Sequence, residues 1–155
     1  MLKVRVVAIG KDKDAWISEG CSHYTKLLSR YATVDIKIIP ALKTGDSLSP
    51  AEVKTREAER LEQEIGRGFV IALSDRGVKT DSVGLAGKIE KWQAQSGVIT
   101  FLIGGAYGLD DGIIKRTDLV LSLSPLTFSH QLVRLVLLEQ LYRALSIIHG
   151  SSYHK

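Results

Sequence analysis

Apolar residues at Leu2, Val4, Val6, Val7 and Ile9 alternate with polar ones and then close up before Gly10, the pattern of a strand. From Asp14, placed to cap a helix, the spacing changes to four-three-four-three. Ile17, Cys21, Tyr24, Leu28 and Tyr31 then mark one helical stripe. Alternation returns at Val34, Ile36 and Ile38, predicting a half-exposed strand from Thr33 to Ile39 that Pro40 ends. Ala41 to Leu48 shows neither period and reads as a mobile surface loop. Ser49-Pro50-Ala51-Glu52 opens a second helix, because the Ser hydroxyl and the Glu carboxylate each accept a backbone N–H that lacks a helical partner. That helix reaches about Ile65. It is dominated by Glu, Lys and Arg, a solvated face with Val53, Leu61 and Ile65 as its thin buried edge.

The second half is greasier. Phe69 to Leu73 and Val98 to Ile103 are unbroken apolar runs of the kind buried on both faces of a parallel sheet. The first ends at Ser74-Asp75-Arg76-Gly77, and between the two Asp81 or Ser82 caps a helix through Gln95 that turns Leu85, Ile89 and Trp92 inward. Leu119 to Leu123 is a last strand, followed by a helix from about His130 to His149. Strand and helix alternate throughout, which predicts one α/β domain over residues 1–155: a mostly parallel sheet with helices on both faces. The final helix leaves only Arg134, Glu139, Gln140 and Arg143 as a polar strip, so it needs cover on more than one side. The sheet supplies one cover, and a second subunit in a symmetric homodimer supplies another.

The totals narrow the function classes. A chain of 155 residues buries one ordinary core, and a net charge of +4 from dispersed Lys and Arg fits a nucleic-acid partner without establishing one. Lys3, Arg5, Lys11, Lys13, Lys26 and Arg30 are candidate phosphate contacts, with solvated surface the plainer reading of each. Cys21 is alone and lies on a buried stripe, so neither a disulfide nor a cysteine metal cluster is expected, and no metal is called for. No apolar run nears the ~20 residues that cross a bilayer. A soluble cytoplasmic protein is expected, with neither a membrane nor DNA as a partner.

In open α/β sheets ligands bind beyond the carboxyl ends of the strands, here Leu73, Ile103-Gly104 and Leu123. Gly104-Gly105-Ala106-Tyr107-Gly108 resembles a phosphate loop only superficially, because neither the G-x-G-x-x-G spacing nor a following Gly-Lys-Ser/Thr is present. Ser124-Pro125-Leu126-Thr127-Phe128-Ser129-His130 is more informative. Its Leu, Pro and Phe side chains can enclose an aromatic ring such as adenine, and Ser124, Thr127 and the backbone can orient it. With no obvious anion site beside it, a neutral-to-cationic adenosyl ligand suits the segment better than a triphosphate.

The tail FLIGGAYGL…LSLSPLTFSHQLVRLVLLEQLYRA…YHK, with the first strand ending at Ile9-Gly10, resembles the ribosomal RNA large-subunit methyltransferase H family over the whole chain. That family is of the SPOUT class. The resemblance implies a C-terminal trefoil (α/β) knot and a homodimer through the last helix. It also implies methylation of N3 of a pseudouridine in 23S ribosomal RNA within the ribosome, with S-adenosylmethionine (SAM) as methyl donor. It assigns SAM contacts to Leu73, Gly104, Leu123, Ser124, Pro125, Leu126, Thr127 and Phe128. Ser129 departs from the family, which usually has Pro there. Candidates for substrate handling are His130 and Arg134 at the start of the last helix, Arg143 further along it, and His149, Tyr153, His154 and Lys155 at the end, with Tyr153 and His154 preferred. Plainer readings stand beside these. His130 caps the helix, Arg134 and Arg143 pair with Glu139 or a partner subunit, and the tail is a frayed end. The alternative function is a non-catalytic ribosome- or RNA-binding protein that keeps the knot.

Overall fold

Five apolar runs become five strands: β1 (Leu2–Ile9), β2 (Ala32–Ile39), β3 (Phe69–Lys79), β4 (Val98–Ile103) and β5 (Leu119–Ser122). They are hydrogen-bonded in the order β2-β1-β4-β3-β5, and each neighbouring pair is parallel. The computed structural model describes residues 1–42 and 47–155, so half of the loop predicted at Ala41–Leu48, residues 43–46, lies outside the described residues. Five helices complete the chain: α1 (Ala15–Leu28), α2 (Pro50–Glu64), α3 (Ser82–Gln95), the short α4 (Asp111–Ile114), which the sequence pattern did not reveal, and α5 (Leu132–Ile148).

Strand pleating divides the interior in two, since successive side chains point to opposite faces. Leu2, Val4, Val6 and Ala8 of β1 join Phe101, Ile103, Ile71 and Leu121 under α1, α3 and α5. Val7 and Ile9 join Val70, Ala72 and Leu102 beneath α2 and α4. The sheet is therefore covered on both faces, as predicted. α5 packs against both α1 and α3, so part of the apolar girth assigned to a partner is covered within the subunit. Gly20 permits the close approach of α1, because a Cβ there would lie 2.8 Å from Leu135 Cδ1. The outward strip Leu132, Val136, Glu139, Gln140, Arg143 and Ile147 is left half-buried.

Helix starts follow the local chemistry. Ser49 and Glu52 form the reciprocal capping box, Glu52 N–H to Ser49 Oγ at 3.2 Å and Ser49 N–H to Glu52 Oε2 at 3.3 Å. Of the two candidates for α3, Asp81 is the cap, its Oδ1 accepting from Gly84 N–H at 2.7 Å. Asp14 holds the N-cap position of α1, but its side chain makes no capping bond. β3 runs past the predicted end at Leu73. Leu73 pairs with Leu121, the register shifts, and Val78 then pairs with the same Leu121. The four residues between are a bulge, which turn-prone Ser-Asp-Arg-Gly resembles in sequence.

Candidate active site

The carboxyl ends of β4 and β5 and the interruption of β3 after Leu73 meet at a cavity of about 570 Å³. Each end shapes its own wall. At β3, Ser74 to Gly77 are thrown outward by the bulge, and Leu73, Ser74, Asp75 and Arg76 face the cavity. The bulge needs Gly77, since a Cβ there would lie 2.6 Å from the backbone carbon of Leu121. At β4 the chain curls back on itself. Gly108 N–H donates to Gly105 O at 3.0 Å, Gly108 takes φ +81, and a Cβ on Gly104 would meet the Gly108 carbonyl carbon at 2.5 Å. Glycine peptide groups share that wall with Ala106, Tyr107 and Leu109.

After β5 the loop is held by its own hydroxyls. Ser122 Oγ donates to Ser124 O at 2.9 Å, and Ser124 Oγ accepts from Leu126 N–H at 3.0 Å. Thr127 Oγ1 donates to Asp75 Oδ2 at 3.4 Å, joining this wall to the β3 bulge. Leu123, Ser124, Leu126, Thr127 and Phe128 line the cavity, whereas the exposed Pro125 does not. Leu126 is 71% exposed, an apolar side chain left at the rim. Lys54, Arg76, Asp75 and Asp111 also line it, so opposite charges are balanced around the opening. The sequence offered no obvious anion site here; Lys54 and Arg76 reach the cavity from α2 and the bulge, each matched by a carboxylate on the same lining.

His130 also lines the cavity. Burial pushes its pKa below the ordinary imidazole value, and the charges of Arg134 and Lys13 push the same way, so the ring is neutral near pH 7. It does not cap α5. Gln131 holds the N-cap position without a side-chain cap bond, and Ser129, the residue that departs from the family pattern, accepts from Leu132 N–H through its Oγ at 3.1 Å. Arg134 is not available for chemistry. It is 2% exposed, ion-paired through Nη1 with Asp12 Oδ1 at 2.7 Å, and its Nη2 donates to Ile9 O at 2.7 Å and Gly10 O at 2.5 Å. Gln131 completes this clamp, accepting from Lys13 N–H at 2.9 Å and donating to Lys11 O at 3.1 Å.

The remaining candidates sit elsewhere. Val133 touches the cavity, and Arg143 lies ten residues further along α5, about 15 Å at the helical rise of 1.5 Å per residue. There Glu139 Oε1 accepts from Arg143 Nη2 at 2.6 Å, Arg143 Nε at 3.1 Å and Tyr153 OH at 3.0 Å. Arg143 lies 4.7 Å from the Tyr153 ring centroid, and its Nη1 is 3.3 Å from His154 Nδ1. The Tyr153 hydroxyl is held well above its ordinary pKa by burial, then by hydrogen bonding with Tyr24 and Glu139, so it is a donor at neutral pH and no phenolate base. The tail is therefore packed, not frayed. His149 is spent on structure, its Nδ1 2.8 Å from Leu145 O and its ring stacked on Tyr31 at 4.6 Å. The structure places His130 at the cavity and leaves Arg143, Tyr153 and His154 as a separate cluster.

One buried ionisable residue escaped the sequence reading. Glu57 of α2 is 4% exposed and packs against Gly105. The signal lies in the spacing: 53, 57 and 61 share one helical face, although a Glu within a charge run is more commonly solvated.

Comparison with known proteins bears on what this arrangement serves. A family described as "Predicted SPOUT methyltransferase" matches residues 2–154. The chain belongs to the SPOUT methyltransferases. Among its relatives, the ribosomal RNA large subunit methyltransferase H of Acetivibrio thermocellus is 41% identical over 99% of this chain and 100% of its own. The protein of the same name from Streptococcus suis is also 41% identical, with the same coverage. A probable methyltransferase from Bordetella pertussis shares the fold at a TM-score of 0.56 and 16% identity, covering 93% of this chain and 96% of its own. A probable methylase family protein from Haemophilus influenzae does so at 0.57 and 14%, over 100% of this chain and 72% of its own. The all-parallel sheet, covered on both faces, is the α/β fold of this family.

Proposed function

We propose that the chain transfers a methyl group from SAM to N3 of a pseudouridine in 23S ribosomal RNA, acting as a cytoplasmic homodimer on the assembled ribosome. One observation carries the reading: two strand ends and the β3 bulge form a cavity with apolar walls, a glycine-rich wall that offers peptide groups and a charge-balanced rim. Those walls fit the cofactor. Leu73, Leu123 and Phe128 suit the adenine ring, the Gly104 loop offers peptide groups, and the paired charges of Lys54, Arg76, Asp75 and Asp111 suit an amino-acid end carrying both signs. The knotted threading of the family would hold these loops together. Among the described residues no cluster of His, Cys, Asp and Glu is arranged to hold a metal.

When bound, SAM supplies an electrophilic methyl on a sulfonium; the chain's own residues must hold the acceptor in line and manage its proton. An imide N3–H is a poor nucleophile until deprotonated or until its flanking carbonyls gain hydrogen-bond donors. His130, neutral and on the cavity wall, is the nearest candidate acceptor of that proton. Arg143, Tyr153 and His154 present donors from the opposite end of α5. In this reading the tail of one subunit reaches the cavity of its partner. RNA is gripped beside the cavity by the loop that Arg134 and Gln131 clamp in place, where Lys11 and Lys13 are exposed and Trp16 is 56% exposed.

The test is incubation with methyl-labelled SAM and ribosomes from a strain lacking the modification, followed by mapping of the labelled nucleotide. Label on one pseudouridine of 23S RNA is the expected result. Absence of label, with SAM still bound, would mean a non-catalytic RNA-binding protein instead.

A further inference from the structure

α2 is a charged surface helix, yet Glu57 lies on the stripe between Val53 and Leu61 that α2 sets against the sheet. Its carboxylate backs the glycine wall of the cavity. A Cβ built on Gly105 would lie 3.0 Å from Glu57 Oε1 and 3.1 Å from Oε2, closer than ordinary van der Waals contact. Gly105 and its neighbours Gly104 and Ala106 line the cavity on the other side. Glu57 Oε1 has no hydrogen-bond partner among the described residues. Burial raises the carboxyl pKa, while the Leu42 backbone N–H and the Arg60 charge favour the ionised form.

A buried charge with an idle oxygen is costly, and an apolar residue of similar volume would fill the same space without that cost. The feature makes sense if a positive charge is present on the far side of the loop during function. The rim charges Lys54, Asp75, Arg76 and Asp111 are poor substitutes, being partly or fully exposed and screened by solvent. Glu57 is shielded from water by the loop itself, so its field crosses a single peptide layer into the cavity.

We infer that Glu57 is a specificity-determining residue that makes the cavity prefer a cationic adenosyl ligand over its neutral counterpart, the sulfonium of SAM over the thioether of S-adenosylhomocysteine. The inference rests on the reading of the cavity as the cofactor site. In the transfer the methyl carbon bonds to N3 as the C–S bond breaks, its electron pair stays on sulfur, and the N3 proton passes to a base. Positive charge thus leaves the sulfur with each turnover, passing with the N3 proton to the base, and the attraction between Glu57 and the cofactor is lost for the product alone. A residue of this kind promotes cofactor exchange without touching the reacting atoms.

Calorimetric titration of SAM and S-adenosylhomocysteine into the full chain, Glu57→Gln, Glu57→Asp and Phe128→Ala tests this. Glu57→Gln is expected to weaken SAM roughly ten-fold and S-adenosylhomocysteine less than about two-fold, the effect of one unit charge about 12 Å away at an effective dielectric near 20. Glu57→Asp, which keeps the charge, retains most of the preference. General loosening of the loop would weaken both ligands alike and leave their ratio unchanged, so an unchanged ratio in Glu57→Gln overturns the inference. If thermal melting shows that the Gln variant does not fold, Glu57→Met removes the charge with an apolar chain of similar length and is read the same way. Phe128→Ala separates the two levels: SAM binding as tight as in the unaltered chain would show that the cofactor lies elsewhere.

Discussion

The guanidinium of Arg134 holds together three parts of the chain that are far apart in sequence: the end of β1, the loop through Asp12 and the first turn of α5. Removing it leaves the half-buried Asp12 carboxylate unpaired and two buried carbonyls without their donor. Arg134→Ala should therefore cost about 3–5 kcal/mol of stability in urea unfolding. It should also disturb the neighbouring His130, whose depressed pKa has Arg134 as its second cause. His130 sets a pH dependence of known sign. Because its folded pKa lies below the ordinary 6.5, the unfolded chain binds the proton first, and stability falls as pH drops from 6.5 toward the folded value. His130→Gln should flatten that part of the stability curve, and unfolding measured at pH 7.5 and below 6 would show it. If His130 takes the N3 proton, methyl transfer falls over the same acidic range.

Glycine roles separate at the level of elements. Gly77 and Gly87 are identical in composition and opposite in consequence. In β3 a side chain at Gly77 would press on the Leu121 and Ser122 backbones at 2.6–2.8 Å, and Gly77→Ala should destabilise the protein by about 1–3 kcal/mol and weaken SAM binding by moving the bulge. In α3 nothing lies within 4 Å of the Cβ position of Gly87, so Gly87→Ala should stabilise by about 0.5–1 kcal/mol. Thermal melts of the two variants and the parent decide the pair. The strands were legible because side-chain alternation and apolar runs are local properties, and so was the capping box at Ser49. The bulge was not, because a strand that pauses and resumes opposite the same Leu121 is defined by its neighbour.

At the scale of the whole molecule, α5 separates the cavity from the Arg143–Tyr153–His154 cluster by roughly 15 Å of helix. A tail that acts on a partner's cavity makes a sharp prediction. Phe128→Ala spoils the cavity and His154→Ala spoils the tail, and each homodimer alone should be nearly inactive on ribosomes. Mixed and allowed to exchange subunits, they form heterodimers with one intact composite site, and about a quarter of the parental activity should return. No recovery after proven exchange would assign the tail to its own subunit. Sedimentation showing a monomer at micromolar concentration would remove the dimer altogether.

What the amino-acid order determined by itself was whatever depends on near neighbours. It set the alternation that makes strands, the stripes that make helices, the cap at Ser49, the glycine run at 104–108 and the apolar segment at 123–128. From these came the parallel α/β sheet and three candidate strand ends, all of which the cavity brings together. Tertiary structure alone decided what depends on partners distant in sequence. Arg134 pairs with Asp12 across 122 residues and became a clamp, though its position near the loop had suggested chemistry. Pro125 is exposed and does not line the cavity, although its neighbours do. Glu57 sits in a charge run yet is buried, because the glycine loop of β4 comes to rest on it. Burial and charge pairing belong to a location, and a location exists only once the chain has folded.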